Sequence, residues 1–66
     1  MNSAREHIVP SRLVGRVFIY DDAMHFVLAV DEASGFARVS CRYGERTQVR
    51  LIPITEVALR VAHEIP

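Results

Sequence analysis

Short stretches rich in Val, Ile, Phe, Leu and Tyr alternate along this chain with turn-forming residues, which recur about every eleven positions. The turn-forming positions are Asp21-Asp22, residues 31–35, residues 43–45 and Pro53. The stretches between them predict strands at residues 13–20, 25–31, 36–43 and 47–52. Short strands at this spacing indicate a small antiparallel β-sandwich or barrel.

The predicted strands differ in how their side chains alternate. The first two are apolar on both parities, whereas residues 36–43 place Arg38, Ser40 and Arg42 on one face and apolar side chains on the other. Strict alternation is typical of a strand with one solvated face, and apolar residues on both parities indicate cover on both sides. The first hairpin therefore needs a cover, for which the C-terminal segment and a second copy of the chain are the two candidates.

The C-terminal segment fits two structures. Its apolar residues recur at helical spacing, at Ile54, Val57, Ala58, Val61, Ala62 and Ile65. Alternatively, a 3₁₀ turn over residues 54–57 precedes a strand in which Val57, Leu59 and Val61 alternate. A helix leaves Leu59 exposed, whereas a fifth strand removes the free edges of an open sheet. We therefore predict an all-β fold, a five-stranded antiparallel barrel with a 3₁₀ turn before its last strand, with a four-stranded antiparallel sheet plus a C-terminal helix as the alternative.

Three features make the chain similar to SH3-like and Tudor-type small barrels: the strand at residues 13–20, the hairpins around Gly35 and Gly44, and the ending at residues 49–57. The resemblance implies a barrel in which one 3₁₀ turn precedes the final strand. We assign residues 12–66 to this domain and residues 1–11 to a flexible N-terminal arm. Because the chain has no Trp, it lacks the aromatic shelf on which SH3 domains bind proline-rich peptides.

Composition narrows the classes of function. Eight basic residues balance eight acidic ones, so no net field attracts nucleic acid or an anionic membrane. The longest apolar run is far shorter than the ~20 residues of a membrane span. A lone cysteine favours the reducing cytoplasm over a disulfide scaffold. A chain of 66 residues also builds only a small core, so self-association is an expected supplement to its stability.

Residues that carry chemistry do not cluster in the sequence. Cys41 has the inward parity of its strand, and His25 is expected at the surface, at the edge of a turn. The paired acids lie in turns, where Asp is favoured. The plasmid-type trimethoprim-resistant dihydrofolate reductases are similarly short, but residues 47–50 lack the Tyr of their Val-Gln-Ile-Tyr stretch. We therefore predict a non-enzymatic protein without a metal site or a cofactor.

Two surfaces are candidates for binding. The preferred hypothesis is a protein-interaction module that docks on an unknown partner or on a second copy through apolar residues of the first hairpin. These residues are Val14, Phe18, Tyr20 and Phe26. The alternative is RNA or single-stranded nucleic acid, bound by an arginine and aromatic strand face. Its residues are Arg38, Arg42 and Arg50, with Arg16 at the border.

Overall fold

A computed structural model describes residues 9–64 of the chain and shows one antiparallel sheet with a helix packed on it. The sheet has the strand order β1-β2-β3-β4, and each strand is antiparallel to the next. The strands are β1 (Val17–Tyr20), β2 (Ala23–Asp31), β3 (Phe36–Tyr43) and β4 (Arg46–Pro53). Helix α1 (Ile54–Glu64) follows β4 directly, and a 3₁₀ helix (Pro10–Leu13) precedes β1. Of the predicted N-terminal arm, residues 1–8 lie outside the described part.

The predicted five-stranded barrel is wrong, because the C-terminal segment is a helix and the sheet stays open over residues 9–64. The alternative, a four-stranded sheet with a C-terminal helix, matches the structure. Helical spacing buries Val57 and Val61 completely and packs Ile54 and Ala58 partly against the core. Leu59 is 53% exposed, but the free energy gained by burying the other apolar side chains of the helix against the sheet outweighs the cost of exposing it.

Two substitutions in α1 separate the helix from the strand predicted in its place. Val61→Ala is expected to lower the free energy of unfolding by about 1–3 kcal/mol, since it leaves a cavity under the helix. Leu59→Ala is expected to change it by no more than about 0.5 kcal/mol, because the side chain lies in solvent. Denaturant unfolding of both variants measures the difference, and equal losses at the two positions would instead indicate a strand with both side chains inward.

The turn between β3 and β4 fixes which side chains share a face. Gly44 has a φ of +63° and is the first residue of a two-residue loop, the position where hairpin turns of type II′ favour glycine. With this loop length Tyr43 pairs with Arg46, so odd-numbered residues of β3 pair with even-numbered residues of β4. Val49 accordingly pairs with Ser40. Val49 and Leu51 of β4 therefore share a face with the polar residues of β3, whereas Ile52 lies on the opposite face.

The core lies between α1 and one face of the sheet, which we call the helix face; the opposite face is the open face. The core residues are Leu13, Phe18, Val27, Ala37, Val39, Ile52, Val57 and Val61. A bulge between Val27 and Ala29 shifts the register of β2, which returns Val30 to the helix face. The N–H of Ile54 donates to the carbonyl of Gly35 at 2.9 Å and ties the start of α1 to the β2–β3 loop. One layer of helix thus covers one side of the sheet.

Candidate functional site

The open face carries a dense set of exposed apolar side chains. Among the described residues, eight large apolar side chains lie on it, each 40–66% exposed. They are Val17, Ile19, Met24, Phe26, Leu28, Phe36, Val49 and Leu51. Seven of these positions are fixed by the strand register, and Leu28 lies in the bulge beside them. Contiguous exposed apolar surface on this scale marks a site of interaction.

Polar residues are confined to part of the open face. Arg38, Ser40 and Arg42 follow one another along β3, while β1, β2 and β4 supply the apolar side chains on either side. Asp31 pairs with Phe36 and lies at the end of the face that is remote from Arg42. At this end a shallow hollow of about 380 Å³ lies among Asp31, Phe36, Arg38 and neighbouring side chains. The face therefore has Arg42 towards one end, and Arg38 together with the Asp31 carboxylate beside a hollow towards the other.

The four apolar residues predicted as an interaction surface do not lie together. Phe26 is on the open face, and Val14 is exposed at the end of the 3₁₀ helix. Phe18 is buried in the core, and Tyr20 is half-buried on the helix face. The parities of β1 and β2 indicated apolar residues on both sides of this hairpin, but did not say which side the helix would cover.

The four arginines predicted as a nucleic-acid surface also divide between positions. Arg38 and Arg42 are on the open face, and Arg16 is exposed just before β1. Arg50 pairs with Val39 and therefore lies on the helix face. The predicted grouping of Arg50 with Arg38 and Arg42 is wrong, because the two-residue loop at Gly44 reverses the parity between β3 and β4.

Arg50 belongs instead to a polar and aromatic cluster at the edge of the helix. Its Nη1 donates to Nε2 of His25 at 3.5 Å and to the hydroxyl of Tyr43 at 3.4 Å. Its guanidinium carbon is 5.7 Å from the centre of the Tyr20 ring, and that of Arg60 from α1 is 5.3 Å from the same ring. Two cations thus stack against one aromatic side chain, an arrangement that cation–π attraction favours.

His25 is completely buried, so its predicted surface position is wrong. β2 begins at Ala23 rather than at residue 25, which gives His25 the inward parity of Val27. Nδ1 bonds the carbonyl of Ala23 at 2.9 Å, which makes Nδ1 the donor and leaves Nε2 to accept from Arg50. The ring stacks on Phe18 with centroids 5.3 Å apart. Its shared parity with Val27 was the one sequence signal for this burial.

Cys41 and Tyr43 complete the cluster on β3. Cys41 is buried, as its parity predicts. A hydrogen bond to the Cys41 side chain raises the pKa of Tyr43, and partial loss of solvent raises it further. The phenol of Tyr43 therefore stays protonated at neutral pH, with a hydroxyl that can both donate and accept.

Compared with known proteins, the chain matches no family model, no curated protein and no solved structure. Membership of the SH3-like or Tudor-type families, which the sequence resemblance implies, therefore stays a prediction. Within residues 9–62, whose side chains are described, no three His, Cys, Asp or Glu side chains come together as a metal site. Over residues 9–64, no helix has the length and apolar character needed to cross a membrane.

Proposed function

We propose that this chain is a non-enzymatic protein-interaction module of the cytoplasm that forms a homodimer through its open face. The observation that carries the proposal is the set of eight exposed apolar side chains on one side of a sheet whose other side is already covered. The lone buried thiol of Cys41 suits a reducing compartment.

The area of the open face is close to what a stable dimer requires. An aromatic side chain presents on the order of 150–250 Å² when fully exposed and the aliphatic ones present less, so eight side chains exposed by 40–66% present several hundred Å². This is comparable with the largest apolar patch of a typical monomer, about 300–600 Å², which is itself often a functional surface. A standard interface removes about 800 Å² from each partner.

Self-association also supplies what a chain of this size lacks. Below about 70–80 residues a single apolar core contributes only a few kcal/mol of net stability. The described core fills the space between α1 and one face of the sheet, and it leaves the open face in water. Packing two open faces about 10 Å apart would bury a second apolar layer in the manner of a β-sandwich. A second copy of the chain is a partner that is always present at the same concentration as the first.

Charge on the open face favours one orientation of the two copies. With a two-fold axis parallel to the strands, Arg42 of one copy meets Arg42 of the other. With an axis across the strands, the Arg42 end of each copy meets the Asp31 end of its partner, where the hollow lies. The first arrangement brings two Arg42 cations together, which repel, whereas the second places each Arg42 beside the Asp31 carboxylate, which also offsets the charge of Arg38. The proposed dimer therefore has its sheets packed end over end.

Sedimentation velocity tests the proposal on the unmodified chain. With a dissociation constant near 1 µM, we expect the dimer to predominate at about 10–100 µM and to dissociate in part near 1 µM. The dissociation constant of the dimer should change little between low and high salt, because burial of apolar surface stabilises the dimer. Binding through contacts to phosphate groups would instead weaken steeply with salt. A monomer throughout this range would contradict the proposal.

Nucleic-acid binding stays a prediction and receives less support from the geometry. Of the four arginines assigned to it, Arg38 and Arg42 face away from Arg50. A single strand would have to wrap around the sheet edge to reach both faces. Retention on nucleic acid that falls steeply with salt would favour this alternative.

A further inference from the structure

Arg50 is a half-buried cation without a counter-ion among the described side chains. Over residues 9–62, for which side chains are described, the ion pair present joins Arg60 to Glu56 at 3.0 Å. Asp21 affects Tyr43 through its charge, but it makes no ion pair with Arg50 within that range. A charge that is partly removed from water needs a partner of opposite sign or several good hydrogen bonds.

The hydrogen bonds that Arg50 makes do not meet this need. A guanidinium carries five N–H donors in a planar fork. The two described bonds both come from Nη1, are long, and end on the neutral acceptors of His25 and Tyr43. Nε and Nη2 have no described acceptor within hydrogen-bond distance. This pair of atoms forms the side of the guanidinium that binds two oxygens of one anion.

The surroundings hold the fork in place and add positive charge. The Tyr20 ring supports Arg50 by stacking, and His25 is itself fixed by the carbonyl of Ala23 and by the Phe18 ring. Arg60 stacks on the same Tyr20 ring and brings a second guanidinium to the site, partly neutralised by its own pairing. The Tyr43 hydroxyl accepts from Arg50 and helps to fix the position of the guanidinium.

We propose that this cluster binds a phosphoryl group, with the Nε and Nη2 edge of Arg50 as the principal contact. A phosphate matches the two-oxygen spacing of the fork, and its double charge suits a site to which two arginines contribute. The site is on the helix face, so it is independent of the proposed dimer.

Titration with sodium phosphate, followed in ¹H–¹⁵N spectra at constant ionic strength, tests the inference. We expect saturable shifts centred on the Arg50 side-chain Nε–H and the amide of Tyr43. Arg50→Gln is expected to weaken binding about tenfold or more, because it removes a charge-assisted pair of hydrogen bonds. Arg16→Gln removes the same charge from an exposed position and is expected to leave the affinity unchanged.

A second variant, Arg50→Lys, keeps the proposal testable if Arg50→Gln does not fold. Arg50→Lys keeps the charge but not the fork, and a severalfold loss of phosphate affinity in a folded Arg50→Lys protein supports the two-oxygen contact. Equal affinities in the unmodified chain and in Arg50→Gln, shifts that never saturate, or equal binding of acetate would each overturn the proposal. Two further titrations then identify the kind of phosphoryl group that binds. O-phosphoserine represents a phosphate monoester, and a dinucleotide represents a phosphodiester.

Discussion

Replacing Met24 and Val49 together by glutamate is expected to convert the dimer into a folded monomer. Both side chains are among the most exposed on the open face, so the monomer loses little when they change. In the dimer each substitution places an unpaired carboxylate in an apolar layer, at a cost of several kcal/mol. We expect the dissociation constant to rise at least about a hundredfold, which corresponds to about 2.7 kcal/mol. Sedimentation velocity at matched concentrations measures the change.

Leu59→Glu is the matched control for this double variant. Leu59 is exposed to a comparable degree but belongs to α1 on the far side of the molecule. The control is expected to remain a dimer, and its melting temperature should still rise with protein concentration, as mass action requires of a dimer. A Met24→Glu, Val49→Glu protein that remains a dimer would show that another surface associates.

Phe18→Ala is expected to produce the largest loss of stability in the chain, about 3–5 kcal/mol. Phe18 is buried beneath α1 and stacks on the buried ring of His25, so its removal leaves a cavity that neighbouring side chains cannot readily fill. A domain of this size has a total stability of only about 3–10 kcal/mol. We therefore expect the variant to be largely unfolded at room temperature or to unfold in very dilute denaturant.

Phe26→Ala, made in the monomeric Met24→Glu, Val49→Glu background, gives the comparison for Phe18. Phe26 is the same residue type on the neighbouring strand but lies on the open face. Its loss should lower the free energy of unfolding of the monomer by about 1–2 kcal/mol, clearly less than the loss at Phe18, since 42% of Phe26 is already exposed to water. Urea unfolding of both variants in that background measures the contrast. Losses of equal size at the two positions would mean that both faces are covered within one chain.

Local alternation was sufficient to predict the strands of the second hairpin. The predicted strand at residues 36–43 matches β3, and the one at residues 47–52 lies within β4. The inward parity of Val39 and Cys41 is also as predicted. Alternation succeeds here because one side of β3 is dry and the other is polar.

The C-terminal helix was given as the alternative and not as the preferred prediction, because two considerations were weighed against its periodicity. One was the exposure of Leu59, which the structure retains. The other was the free edges of an open sheet, which the structure also retains: β1 is one edge, is only four residues long, and offers little backbone for unwanted pairing. Burial of Val57 and Val61 against the sheet decides the outcome, and it depends on contacts distant in sequence.

The membership of the two candidate surfaces also depends on contacts between residues that are distant in sequence. Phe26 was included in a predicted surface because both parities of its strand are apolar, whereas neither predicted surface included Val49 or Leu51. Parity within a strand does not say which faces of two strands coincide; the length of the loop at Gly44 does. The contact between Arg50 and His25 joins residues 25 positions apart, and no local period reveals it.

Intermolecular nuclear Overhauser effects in a mixed sample of labelled and unlabelled chains test the central claim most directly. We predict contacts between copies that involve the Phe26 ring and the methyl groups of Met24, Val49 and Leu51, all from the open face. Contacts between copies that come instead from Leu59 on the outer side of α1, or a complete absence of contacts between copies, would contradict it.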